Sequence, residues 1–201
     1  MRSLSAAPAF DYSGGGRFHF GDVKTSFTVT PAGGSFAINR LVTVDFPAGS
    51  ICDPDLSSYG AGEWENACAT LTHAITITAT TRLTGNGVAV DFQPDLRFSP
   101  DKQVTLSTDL FSSTLRANRG YFRAAPASLQ RLTFLYSPSL NATAVADYVA
   151  DPSLATHVDL ESGRVWRRVK HFSGYVQGSG AACNPTAGDP DCVPTHTETT
   201  P

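Results

Sequence analysis

The chain has 201 residues, 41% of them hydrophobic, and a net charge of -3, which suits one domain with a sizeable core. The balance is mildly acidic, lysine stands only at Lys24, Lys102 and Lys170, and no basic stripe interleaves with aromatics, so nucleic acid is not an expected partner. No apolar run is long enough to cross a membrane as a helix.

Thr, Ser, Gly, Pro, Val and Phe abound while Met, Glu and Lys are scarce, favouring strands and turns over helices. The opening "MRSLSAAPAF" begins like a signal peptide but lacks the apolar stretch one requires. Residues 1–16 end in Gly14-Gly15-Gly16 and read as a flexible leader. "RFHF" and "KTSFTVT" then alternate apolar and polar residues, as half-buried strands do. "PAGGSFAI" is a turn feeding a strand, and "LVTVDF" is a strand closed by "PAGS". "AITITATTRL", the turn "TGNG" and "VAVDF" predict a hairpin. "QPDLRFSPDKQVTLSTDL" reads as two short extended pieces around a proline turn. Residues 111–130 are less regular, and "LQRLTFLYSP" is again a strand. "NATAVADYVADPSLAT" could hold a short helix or a loop, and the next stretch, to Gln177, is a hairpin around Ser162-Gly163. Residues 178–201 are a Gly-, Pro- and Thr-rich tail. Short strands at regular spacing predict an all-β fold, a single antiparallel or mixed β-sandwich over residues 17–177 with long loops.

Cys52 and Cys68 bracket one polar, turn-rich segment, and Cys183 and Cys192 bracket another. Two local disulfides are the simplest connectivity, each stapling a loop without a core of its own in an oxidising compartment. The rival is a four-thiolate zinc site, but such sites usually place two ligands only a few residues apart. Four unpaired cytosolic thiols fit loop positions poorly, because free cysteine is usually buried. The expected location is therefore extracytoplasmic, secreted or associated with the cell envelope, with no signal peptide within this sequence.

"PAGGSFAI", "VTVDFPAGS", "DLRFSPDKQVTLS" and "HFSGY" form an ordered series. In that order they resemble the ZU-five domain of zonula occludens proteins, netrin receptors and ankyrins, above all its bacterial extracytoplasmic relatives, over residues 26–176. Gly33-Gly34 allows a tight turn before a strand, and Phe46-Pro47-Ala48-Gly49 ends one with a residue that cannot donate and one that can take positive φ. The insertion between Cys52 and Cys68 departs from the animal domains and does not support carrying over their partners, such as spectrin.

Some relatives of this fold cut themselves between Phe and Ser of a His-Phe-Ser triplet, which His171, Phe172 and Ser173 match residue for residue. The resemblance implies an internal acyl shift, in which the Ser173 hydroxyl attacks the Phe172 carbonyl and water hydrolyses the ester. His171 would take the hydroxyl proton and return it to the leaving amine. Backbone donors would have to stabilise the oxyanion. In a regular strand His171 and Ser173 share a face with Cα atoms about 6.5 Å apart, too far for imidazole to reach hydroxyl without a kink or a favourable rotamer. Val165 and Val169 are odd-numbered whereas Phe172 and Val176 are even, which a bulge would reconcile. The competing register places Trp166, Phe172 and Val176 on the core face without one, with His171 and Ser173 on a solvent-facing strand.

Other constellations carry less. Asp53, Asp55, Glu63 and Glu65 in the first cysteine loop, and Asp189 and Asp191 in the second, match no calcium-loop spacing. His19, His73, His157 and His196 have no metal-like spacing. Tyr59 and Trp64 could stack on a sugar or dock in a partner pocket. Asn141-Ala142-Thr143 fits the short glycosylation pattern. The sequence thus leads to a non-enzymatic structural, adhesive or protein-interaction module, expected to be monomeric, with an unidentified protein or envelope partner and neither cofactor nor metal. Self-cleavage at Phe172–Ser173 is the alternative, and carbohydrate binding through Tyr59 and Trp64 a third reading.

Overall fold

The structure is a computed structural model and describes residues 21–84, 87–109, 132–159 and 161–179. The leader at 1–16, the "RFHF" strand, most of the tail, the Cys183–Cys192 pair, and residues 111–130 all lie outside the described residues.

Period-two alternation becomes ten strands: β1 (Val23–Val29), β2 (Gly34–Ile38), β3 (Val42–Phe46), β4 (Ile75–Thr84), β5 (Gly87–Gln93), β6 (Val104–Asp109), β7 (Leu132–Ser137), β8 (His157–Asp159), β9 (Arg164–Val169) and β10 (Gly174–Ser179). They form two five-stranded sheets, one ordered β1-β4-β5-β10-β7 and the other β2-β3-β6-β9-β8. Every pairing between these strands is antiparallel. This is the expected all-β sandwich in its antiparallel form. The expected β4–β5 hairpin is present, with Thr84 opposite Gly87, as is the β8–β9 hairpin, with Asp159 opposite Arg164. Residues 141–156 form no α-helix, only two 3-10 turns at Asp147–Val149 and Pro152–Leu154. Asp151 caps the second by accepting from the Ser153 amide at 3.0 Å.

The inward residues of the two sheets make one core. In β3, Val42, Val44 and Phe46 are buried while Thr43 and Asp45 are partly exposed, as alternation requires. At one end of the sandwich the core is aromatic. Phe172 stacks on Phe92 with centroids 3.9 Å apart, and the edges of Phe46 and Phe98 meet it at 5.7 and 4.8 Å. Such clusters bury large areas and gain from edge-to-face contact.

Two glycines have steric reasons. Gly33 takes φ +72 in the turn before β2, and a Cβ there would stand 2.1 Å from the Phe46 carbonyl oxygen. Gly174 opens β10 between β5 and β7, where a Cβ would lie 2.6 Å from the Ser137 carbonyl oxygen.

The run from Arg164 to Ser179 is not one strand. β9 belongs to one sheet and β10 to the other, so Lys170–Ser173 carries the chain across the sandwich. Neither register expected for this run holds throughout. Phe172 is buried, but Val176 and Trp166 are only partly so, and the inward positions are Val165, Arg167 and Val169, then Tyr175 and Gln177. The crossing takes the place of a bulge.

The aromatic end supports a stability prediction. Phe92→Ala should lower the unfolding free energy by roughly 3–5 kcal/mol, measured by denaturant titration. A loss below about 1 kcal/mol would show that this end is not part of the cooperative core.

Candidate functional site

After the partly exposed Lys170 the crossing segment is buried: His171, Phe172 and Ser173 are 7%, 0% and 5% exposed. Buried backbone groups must find partners, and here they come from several elements. The Phe98 amide donates to the Lys170 carbonyl at 2.9 Å, the Phe172 amide donates to Leu96 at 2.7 Å, and the Phe92 amide donates to the Ser173 carbonyl at 2.7 Å. The His171 carbonyl accepts from the Tyr175 hydroxyl at 2.6 Å. The Phe172 carbonyl accepts from the Tyr59 hydroxyl, also at 2.6 Å.

Tyr59 reaches the crossing from the loop between β3 and β4, which the disulfide Cys52–Cys68 closes. Several contacts hold the loop down. The ring of Trp64 stacks on the His171 imidazole at 4.2 Å with an interplanar angle of 18°. Tyr59 meets Trp64 edge-on at 4.9 Å. The buried guanidinium of Arg97 donates to the carbonyls of Glu63 and Asn66. Lys170 pairs with Glu65 of the loop and with Asp151 of the second 3-10 turn. The aromatic residues predicted as a binding pair are thus brought together, but one face of Trp64 is covered by His171.

The imidazole also meets Tyr136 edge-on at 5.0 Å, and its Nδ1 lies 3.4 Å from the Tyr59 hydroxyl oxygen. Burial pushes the His171 pKa down to about 4, outweighing the attraction of Asp147. The ring is therefore neutral near pH 7. Burial, with Asp95 nearby, raises the pKa of Tyr59, so the phenol stays protonated and can donate. The Ser173 hydroxyl is buried and has no partner that meets hydrogen-bond geometry. It lies close enough to the Tyr59 phenol to oppose the rise in that pKa, without completing a hydrogen bond. His171 and Ser173 are neighbours in the crossing and are not hydrogen-bonded to each other.

Two residues of this region were not singled out in the sequence. Arg167 is fully buried, its guanidinium bound to both Asp147 carboxylate oxygens at 2.9 and 2.7 Å and to the Phe134 carbonyl at 2.9 Å. It lies over the Tyr175 ring at 5.3 Å. Its sequence signal is parity: Arg167 stands between Val165 and Val169 on the inward side of β9. Arg97 has no such signal: it stands directly between the buried Leu96 and Phe98, where alternation would turn it to the opposite face, and the carbonyls it binds could not be read from spacing.

The carboxylates of the loop serve local structure. Asp53 accepts from the Asp55 amide at 3.0 Å, and Glu63 accepts from Asn66 at 3.1 Å. Among the described residues, no group of three or more His, Cys, Asp or Glu side chains is placed to hold a metal. His157 stacks on Trp166 at 4.2 Å. Asn141 accepts from Arg82 at 2.8 Å. Among the described residues no helix is long and apolar enough to cross a membrane.

Neither a comparison with protein-family models nor one with curated proteins returns a match.

Two predictions follow from this geometry. Tyr59→Phe keeps the ring but leaves the buried Phe172 carbonyl without its donor, and should cost about 1–3 kcal/mol in denaturant unfolding. An unchanged midpoint would mean that water replaces the phenol. For His171, the folded pKa of about 4 lies below the ordinary 6.5, so the unfolded chain binds the proton first. Stability is then full above pH 6.5 and falls as the pH drops towards 4, by on the order of 3 kcal/mol. An NMR titration should find the His171 imidazole neutral at pH 5.5, and a midpoint near 6.5 would overturn the assignment.

Proposed function

We propose that the chain is an extracytoplasmic β-sandwich module with a structural, adhesive or protein-interaction role in the cell envelope or secretome. One observation carries this reading: the side chains with the most chemistry, His171, Tyr59 and Arg97, are engaged in docking the disulfide-closed loop onto the chain crossing. A loop fixed in this way is a rigid feature on the end of a sandwich, suited to presenting a surface. The loop exposes Leu56 and, beyond its inward hydroxyl, part of Tyr59. The ordered motifs from "PAGGSFAI" to "HFSGY" support reading the sandwich as a relative of the ZU-five domain. The disulfide Cys52–Cys68 supports export, because such bonds persist in oxidising compartments.

A second reading is self-cleavage between Phe172 and Ser173. It is favoured by the buried, unpartnered Ser173 hydroxyl, two residues from a neutral imidazole, and by a Phe172 carbonyl that already accepts a hydrogen bond from a phenol.

Intact mass of freshly purified, alkylated protein from an oxidising compartment, under denaturing and non-reducing conditions, tests both. The structural reading expects one full-length species, with Cys52 and Cys68 unalkylated and lighter by the hydrogens lost in forming the disulfide. Alkylated Cys52 or Cys68 would sink the export reading. Two fragments ending at Phe172 and beginning at Ser173, merged into one species by Ser173→Ala, would replace the structural reading with the self-cleaving one.

A further inference from the structure

We propose that Tyr59 is the oxyanion donor for scission of the Phe172–Ser173 bond, so that closure of its loop by Cys52–Cys68 is a condition for the cut. This rests on the self-cleavage reading and adds to it a residue and a control that the His-Phe-Ser triplet does not contain.

The amide donors closest to the bond are already committed. The Phe172 amide donates to Leu96 and the Phe92 amide donates to Ser173. The donor aimed at the Phe172 oxygen is the Tyr59 hydroxyl, at 2.6 Å. That oxygen is the one that would become negative on attack. A protonated phenol directed at the oxygen of the buried Phe172, held before the reaction begins, is the kind of donor that stabilises a developing oxyanion without reorganisation. The same hydroxyl oxygen is 3.4 Å from His171 Nδ1, so donor and base are neighbours.

The steps balance without a redox partner. Ser173 Oγ forms a bond to the Phe172 carbonyl carbon, and its proton passes to the His171 imidazole. The oxyanion on Phe172 is held by Tyr59. The carbon–nitrogen bond then breaks, the proton goes to the departing Ser173 amine, and an ester joins Phe172 to Ser173 Oγ. Water hydrolyses the ester, leaving a carboxylate on Phe172 and a free amine and hydroxyl on Ser173.

Tyr59 has no strand to hold it. It stands in a loop whose ends are joined by Cys52–Cys68 and whose far side is held by Arg97 and by Trp64 on His171. Opening the disulfide removes the covalent closure and leaves the segment that carries the donor held only by its non-covalent contacts, so the phenol is less firmly fixed on the Phe172 oxygen. The scissile bond would thus remain intact in a reducing compartment and be cut after export.

The test uses the full chain made by cell-free translation under reducing conditions and then oxidised with glutathione disulfide, with fragments followed on a denaturing gel. The expected result is an intact chain before oxidation, two fragments after it, and none with Ser173→Ala. Tyr59→Phe should slow the cut by about 100-fold or more, with cooperative melting confirming that the variant is folded. If Tyr59→Phe fails to fold, meta-fluorotyrosine at position 59, of nearly the same size but a stronger donor, should change the rate, and an unchanged rate overturns the proposal. Equal cutting by wild type and Tyr59→Phe, or equal cutting before and after oxidation, overturns the proposal while self-cleavage stands. No cutting of the oxidised wild-type chain overturns both.

Discussion

The arrangement at this end of the molecule depends on one constraint: consecutive strands β9 and β10 lie in different sheets, and His171, Phe172 and Ser173 between them are buried. A chain that crosses a sandwich leaves one ladder before it joins the next, and its amides and carbonyls cannot turn to water. The solution is made piece by piece. Leu96, Phe92 and Phe98 supply main-chain partners, Tyr175 and Tyr59 supply hydroxyls, and Phe172 fills the space between the sheets against Phe92. This explains why a long loop with few apolar residues is folded down here. It delivers a donor that the sandwich lacks.

Charge is handled by the same logic. Arg167 is buried on the inward side of β9, and both carboxylate oxygens of Asp147 and the Phe134 carbonyl satisfy its guanidinium. A buried charge requires such pairing. The turn carrying Asp147 is followed by the turn capped by Asp151, which pairs with Lys170 at the start of the crossing. Lys170 in turn pairs with Glu65 of the disulfide loop. The turns, the crossing and the loop are therefore linked through polar contacts as well as through the core.

The two functional readings use the same contacts differently. In a structural module, the phenol on Phe172 is a tether. In a self-cleaving one, it is a donor awaiting an oxyanion. What separates them is whether the Ser173 hydroxyl reaches the adjacent carbonyl, and no hydrogen bond holds it elsewhere. A buried, unmatched hydroxyl carries a cost in stability, a common feature of sites where chemistry takes precedence over folding.

Much of the fold was legible in the sequence. The alternation in "VTVDF" and "AITITATTRL", the glycine turns and the scarcity of helix formers were enough for an all-β sandwich, because a period of two admits only strands with one buried face. The pairing of Cys52 with Cys68 followed from the loop they bracket. Sequence spacing could not decide the route between β9 and β10. A strand and a crossing share the same local preferences, and only the partner sheets separate them. For the same reason His171 and Ser173 looked like solvent-facing neighbours and are buried. Tyr59, read as a candidate surface aromatic, turns its hydroxyl inward onto a residue more than a hundred positions away. Local chemistry is written in the sequence, but which distant carbonyl needs a donor depends on where the chain leaves its sheet, and tertiary structure alone decides that.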